Sequence, residues 1–321
     1  MSEIPLIDLD GAGIAGGEMA DAIVAACRDV GFMYVIGHGI DPQLIDGVRR
    51  EVASYFSQTL ERKLQHRITR DNYRGYIPEG FFSANSGDLD ADHYEGFKLH
   101  REVAADDPVC AQCDLYGPNR WPEPQTALRR QVDNYWSECD RVAEILLRAL
   151  VTVLDTDVED FLQLFRQPLT NMTLLHYPPQ DVASTNFGIH PHKDTDVLTI
   201  LAPDPVGGLL VKRRRVAGWI EADPPHDALV VNIGDMLELW SGGYFVSTPH
   251  QVVNRNQHAR YSFPYFVVPR HDVIIEPLRQ RQLGYEQVAM HAGAVSRLIW
   301  RANWPDAAPV DERFDPTLLD A

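Results

Sequence analysis

The chain has 321 residues, with 46 acidic side chains against 29 basic ones and a formal net charge of −17 at pH 7. That length can bury a sizeable core, and 45% hydrophobic with 23% charged residues is the composition of an ordinary globular enzyme, which excludes a disordered or fibrous chain. The acidic balance repels phosphate backbones and anionic headgroups, so neither nucleic acid nor a membrane surface is an expected partner. The opening MSEIPLIDLDG has no basic leader, and no apolar run long enough to span a bilayer follows it. Of the four cysteines, Cys110 and Cys113 form a lone C-x-x-C with no second pair and no nearby histidine spacing. Incidental thiols in a reducing cytoplasm are therefore preferred to a zinc or redox site.

In chain order, residues 17–30 carry apolar positions at helical spacing and stop at Gly31. Phe32 to Ile36 reads as a short strand closed by Gly37-His38-Gly39. Helical periodicity returns over 41–56, and Thr59 with Arg62 and Lys63 opens another short helix. From 70 to 122 the signals are turns, aromatics, Pro and Gly, which predicts an irregular functional cover. Within it Tyr73, Arg74, Tyr76, Phe81, Phe82 and His100 are candidate pocket walls, with ordinary packing the competing reading. The longest helical pattern spans 124–154, with Leu146, Leu147, Leu150 and Val153 on its apolar face.

Beyond residue 170, short β-rich runs alternate with turn signals: 171–177, 186–192, 197–202, 208–212, 217–221, 228–233, 244–247, 250–253 and 261–268. That rhythm predicts a β-sandwich or barrel. Lys212 to Arg215 reads as a solvated hairpin turn. A final helix is predicted over 284–302. The expected organisation is one unit, 1–321, with a mixed helical cover over 1–168, a β core over 169–270 and a helical tail over 271–321.

The β core holds the polar residues that an apolar core does not explain. His190, His192, Asp194 and Asp196 alternate, so an extended chain would project all four from one face. Burying such groups is costly unless they bind something. His250 lies between two β-rich runs. Two histidines and one carboxylate on a rigid barrel make the facial triad of non-haem Fe(II) enzymes, which leaves coordination positions open for substrate and O2. Ten residues beyond His250 stand Arg260 and Ser262, which point the same way along a strand and together suit a carboxylate.

These residues resemble a known family, the isopenicillin N synthase-like 2-oxoglutarate/Fe(II) oxygenases. The resemblance runs from Ile4-Pro5-Leu6-Ile7-Asp8-Leu9 through Gly31-Phe32, Gly37-His38-Gly39, the Gly-Pro-Asn-Arg-Trp-Pro of 117–122 and Tyr177-Pro178-Pro179. Its most specific part is His192-x-Asp194, Leu198-Thr199-Ile200-Leu201, Gly207-Gly208-Leu209, Val231-Asn232-Ile233-Gly234-Asp235, Leu239-Trp240-Ser241, Ser247-Thr248-x-His250 and Arg260-x-Ser262. Two positions depart from the pattern. Leu175 stands where plant members often carry Asn, and Gln251 follows the second metal histidine where Arg is commoner.

The resemblance implies a mainly β fold with flanking helices around a double-stranded β-helix (jelly-roll) core. It implies Fe(II) on His192, Asp194 and His250, with His190, Asp196 and His258 outside the ligand set. It also implies 2-oxoglutarate held by Arg260 and Ser262 with help from Tyr177, O2 as oxidant and ascorbate as an optional activator. The expected activity is hydroxylation, desaturation or ring closure of a small molecule, with release of succinate and CO2, by a cytoplasmic monomer or homodimer. An intact Asp194 speaks against halogenation. Three alternatives stand beside this reading: an oxidase that does not consume 2-oxoglutarate, an ethylene-forming fragmentation of 2-oxoglutarate itself, and a silent 2-oxoglutarate sensor. The complete triad argues against the last.

Overall fold

A computed structural model of the chain describes residues 4–10, 17–81, 91–123, 126–181, 183–184, 186–214, 216–287, 289–302 and 304. The elements, in order, are β1 (Leu6–Asp8), α1 (Gly17–Asp29), β2 (Phe32–Ile36), α2 (Pro42–Phe56), α3 (Leu60–Leu64), β3 (Gly75–Ile77) and β4 (Glu95–His100). There follow α4 (Thr126–Val151), α5 (Val158–Gln163), β5 (Asn171–Tyr177), β6 (Ile189–His192), β7 (Leu198–Leu201), β8 (Leu209–Val211), β9 (Ile220–Glu221) and β10 (Leu229–Ile233). The chain continues with α6 (Asp235–Trp240), β11 (His250–Val252), β12 (Arg260–Ser262), β13 (Tyr265–Val267), β14 (Ile274–Ile275), β15 (Met290–His291) and α7 (Ala292–Ala302).

Local chemistry accounts for the main boundaries. The Asp41 side chain accepts from the Gln43 N–H at 2.8 Å, and Pro42 sits at the first helical position of α2, where its missing N–H costs nothing. Helix α1 closes where the Gly31 N–H donates to the Ala26 carbonyl at 2.9 Å, with Gly31 at φ +73°. On α4 the residues Leu128, Val132, Tyr135, Cys139, Val142, Leu146 and Leu150 recur every three or four positions and are buried. That stripe packs the helix against α2 and α1.

The larger sheet runs β1-β2-β10-β7-β13-β5-β4-β3, and β12 also pairs with β5. The smaller runs β6-β11-β8-β9. Apolar residues of both sheets meet: Leu175, Tyr177 and Leu201 from the larger, Leu209, Val211 and Val252 from the smaller. Two sheets packed in this way, antiparallel except for the β1–β2 pair, are the jelly-roll core that the resemblance implies. Helices α2 and α4 pack on the larger sheet, against β5, β7, β12 and β13. The site lies between the sheets. Among the described residues, no helix is long and apolar enough to cross a membrane.

Several expectations are corrected. The stretch 70–122 is not wholly irregular, because β3 and β4 lie in it and β4 pairs along its full length with β5. The run 244–247 is no strand; it is the turn after α6, where the Ser241 hydroxyl accepts from the Phe245 N–H at 2.9 Å. The run 261–268 is two strands, broken at Phe263 and Pro264. The final helix starts at Ala292, after β15, rather than at 284.

Candidate active site

Strand β6 ends at His192, so the alternation that would carry all four polar residues on one extended face stops there. Asp194 instead lies in the turn before β7. Its carbonyl accepts from the Asp235 N–H at 2.8 Å, and the Asp196 carbonyl accepts from the Met236 N–H at 3.0 Å. The N-terminus of α6 therefore holds this turn by its backbone. His250 arrives from the smaller sheet, where it stands opposite His192 in the β11–β6 register. The segment before it is tied to the N-terminal region by Thr248, whose hydroxyl donates to the Val30 carbonyl at 2.6 Å. Gly31 is required at that junction. A Cβ on it would meet the Val246 carbonyl oxygen at 2.1 Å, in a left-handed conformation that disfavours side chains.

These contacts bring one atom each of His192, Asp194 and His250 within 4.8 Å of one another, and among the described residues no other His, Cys, Asp and Glu cluster could hold a metal. Asp194 Oδ1 lies 3.7 Å from Nε2 of His192 and 3.7 Å from Nε2 of His250. Each histidine donates its Nδ1 proton to a carbonyl two residues back: His192 to His190 at 2.8 Å, His250 to Thr248 at 3.2 Å. Since a carbonyl can only accept, the Nε2 lone pairs are left facing Asp194. Burial pushes the His250 ring down to about 4, against the pull of Asp194, so it is neutral and able to ligate at pH 7.

The Asp194 carboxylate is divided in function. Oδ2 accepts from the Thr199 hydroxyl at 2.6 Å and from Asn232 Nδ2 at 2.8 Å, which leaves Oδ1 for a metal. Thr199 Oγ1 also lies 2.8 Å from Asp196 Oδ2. One hydroxyl proton cannot serve both carboxyl groups. Burial and the neighbouring Asp194 charge hold Asp196 well above the usual carboxylate range, so its own proton makes the second contact. Asp196 thus belongs behind Asp194. His190 is likewise engaged elsewhere, with Nδ1 2.6 Å from Asp92 Oδ1. His258 is not among the residues lining the cavity.

The triad opens into a cavity of about 780 Å³ that also contains Arg260, Ser262 and Tyr177. In the β12–β5 register Arg260 faces Tyr177 and Ser262 faces Leu175. The Arg260 guanidinium lies 4.7 Å from the Tyr177 ring centre, and its Nε donates to the Gly207 carbonyl at 2.7 Å. Gly208 lets the ends of β8 and β11 approach there, since a Cβ on it would strike the Val253 carbonyl oxygen at 2.0 Å. Among the described residues, Arg260 Nη1 is buried without a partner. A buried charged donor left open beside a three-ligand cluster suits a bound anion. The donor set therefore fits both groups implied by the sequence, a divalent iron and a dicarboxylic co-substrate.

The expected pocket walls do not hold. Tyr73, Arg74, Tyr76, Phe81 and His100 do not line the cavity, and Phe82 lies outside the described residues. Arg74 instead donates to the carbonyls of Asn72 and Leu115 at 2.8 and 2.7 Å. Nor does Lys212 line it; it sits by Trp219 on the β8–β9 hairpin. The cavity reaches Lys98 and Asn171, which the sequence does not single out, and Trp300 on α7. Cys110 and Cys113 are both free thiols.

Comparison with known proteins agrees with this chemistry. The family described as 2OG-Fe(II) oxygenase superfamily matches residues 169–269, and that described as non-haem dioxygenase in morphine synthesis N-terminal matches 4–124. The chain is 32% identical over 275 residues to the 2-oxoglutarate-dependent dioxygenase citB of Monascus ruber, covering 82% of each protein. A full-length Neurospora crassa protein, solved in complex with alpha-KG and thymine, superposes with a TM-score of 0.79 at 26% identity, covering 94% of this chain and 97% of that one. JOX2 in complex with 2OG, Fe and JA gives 0.77 at 26% identity, covering 98% and 89%. With its jelly-roll core and its His/Asp/His cluster beside an open arginine, the chain belongs to the 2OG-Fe(II) oxygenase superfamily and is a 2-oxoglutarate-dependent dioxygenase.

Proposed function

We propose that His192, Asp194 and His250 hold the Fe(II), that Arg260 and Ser262 with Tyr177 hold the far carboxylate of 2-oxoglutarate, and that the protein hydroxylates, desaturates or cyclises a small molecule. The observation that carries this reading is the convergence of Nε2, Oδ1 and Nε2 of the triad in the cavity where Arg260 keeps a buried Nη1 without a partner among the described residues. Bound together, iron and 2-oxoglutarate supply O2 activation coupled to oxidative decarboxylation, with succinate and CO2 as products. The chain's own residues position and enclose. Two imidazoles and one carboxylate would hold the metal, Asn232 and Thr199 orient that carboxylate, and Arg260 would set the direction of the dicarboxylate. Small molecules of different chemistry occupy the related structures, thymine in the Neurospora complex and JA in that of JOX2. The four cysteines are free thiols, which fits a cytoplasmic enzyme, acting as a monomer or homodimer.

The test is anaerobic loading with Fe(II), then exposure to O2 with 2-oxoglutarate and a small-molecule panel, read as succinate release. Arg260→Ala removes one partner of a buried charged pair, worth about 3–5 kcal/mol. The apparent KM for 2-oxoglutarate then rises by a factor on the order of hundreds. Lys at this position restores only part of it, lacking the planar fork. Turnover of substrate without any 2-oxoacid would favour an oxidase, and ethylene in the headspace would favour fragmentation of 2-oxoglutarate.

A further inference from the structure

Lys98 lies on β4 directly opposite Thr173 of β5 and is buried, yet it lines the cavity. Its ammonium donates to Asn171 Oδ1 at 2.5 Å and to Thr173 Oγ1 at 2.9 Å. Both acceptors are neutral. An ammonium has three protons, and among the described residues the third has no acceptor and no carboxylate lies within ion-pair distance. The Trp300 ring centre is 4.4 Å from Nζ and that of Phe266 is 5.1 Å away. The side chain thus sits in an aromatic corner with its charge uncompensated.

A purely structural role does not account for it. A buried cation without a counter-ion is costly, and apolar packing of similar volume is commonly as stable or more so. The cost is visible in the isolated protein, where burial pushes the ammonium down to about 7 against the pull of the Asp194 carboxylate. Nor is 2-oxoglutarate a match for it. Asn171, Thr173, Leu175 and Tyr177 all line the cavity from one face of β5. Thr173, beside Lys98, is four residues from Tyr177, beside Arg260; at about 3.3 Å per residue the two ends lie roughly 13 Å apart. One five-carbon diacid cannot occupy both.

We propose that Lys98 is the counter-ion for a carboxylate on the primary substrate, so that the enzyme acts on small acids whose apolar body lies against Trp300, Phe266 and Met290. This rests on the reading of the cavity as the oxygenase site. Lys98, with Asn171 and Thr173 to aim it, selects the substrate, and Arg260 keeps the co-substrate at the opposite end.

The test measures binding, not turnover. The full-length protein is saturated with Zn(II), as a redox-silent stand-in, and with 2-oxoglutarate. Octanoic, cinnamic and hydrocinnamic acids are then titrated by calorimetry, each against its own primary amide. The wild type binds acid over amide by about tenfold to a hundredfold, the worth of a hydrogen bond to a charged group. Lys98→Met abolishes that preference and Lys98→Arg, which keeps the charge and controls for folding, retains it. Equal binding of acid and amide, binding of neither, or a preference that survives in Lys98→Met overturns the assignment. Zinc-dependent binding of 2-oxoglutarate is measured separately; its failure would count against the co-substrate reading and leave the acid-to-amide comparison still informative.

Discussion

Asp194 offers one oxygen to the protein and keeps the other free, so its orientation can be removed without removing the ligand itself. Asn232→Leu takes away one of the two donors on Oδ2, and Thr199→Val takes away the other. Outer partners of this kind typically contribute about tenfold to a hundredfold in metal affinity. Each variant is therefore expected to weaken Fe(II) or Co(II) binding by about that factor while the fold is kept, as read by anaerobic metal titration beside circular dichroism. Wild-type affinity in both variants would show that Asp194 needs no such support. Most of the triad and the clamp is legible in the sequence because His192-x-Asp194 and Arg260-x-Ser262 are short fixed spacings, and His250, far from the first pair, stands ten residues before the second. Lys98 is not legible there. Its meaning depends on the pairing with Thr173, 75 positions away, and on a helix from the far end of the chain.

The elements that hold the site differ in how openly the sequence announces them. Strand β5 occupies the residues that the sequence predicts for it, because Met172, Leu174 and their neighbours form a continuous β-prone run. Strand β4 escapes prediction because Glu-Gly-Phe-Lys-Leu-His has polar residues on both faces, Glu95 on one and Lys98 and His100 on the other. Lys98 faces the cavity. Glu95 accepts from Lys63 Nζ at 2.6 Å and from the Tyr76 hydroxyl at 2.6 Å, and lies 2.7 Å from His176 Nδ1. Burial alone would raise the Glu95 carboxyl, but these partners outweigh it and hold it below the usual range. The cluster locks α3, β3, β4 and β5 together at a distance from the metal. Glu95→Leu strands the buried Lys63 and should cost about 3–5 kcal/mol in denaturant unfolding, with metal affinity unchanged. The double change with Lys63→Met should recover much of that loss; a single variant as stable as wild type would mean that the cluster is incidental.

At the scale of the whole molecule, the first hundred residues are part of the barrel. Strand β2 pairs with β10, and β4 with β5, so the larger sheet is completed by strands that precede residue 101. We therefore expect residues 169–270 alone to lack a cooperative thermal transition by circular dichroism, whereas the full chain has one. A fragment that melted cooperatively and bound metal would mean that the β core is self-sufficient. The sequence separates a helical front from a β rear because helical periodicity dominates the first half. It does not reveal that short strands between those helices close the sheet, since a three-residue strand such as β1 or β3 carries too few residues for any period to register.

His192 and His250 each anchor their Nδ1 proton on the backbone of their own segment, two residues back, and not on a side chain across the cavity. The pitch of each ring is thus inherited with its strand, independently of whatever lines the remaining walls. A descendant of this chain could exchange Lys98, Asn171, Trp300 and most of α7 for other chemistry and still present the same pair of nitrogens. Diversification would then fall on the Asn171 end of β5 and on α7, while β6 and β11, which carry the histidines, passed from one lineage to the next unaltered.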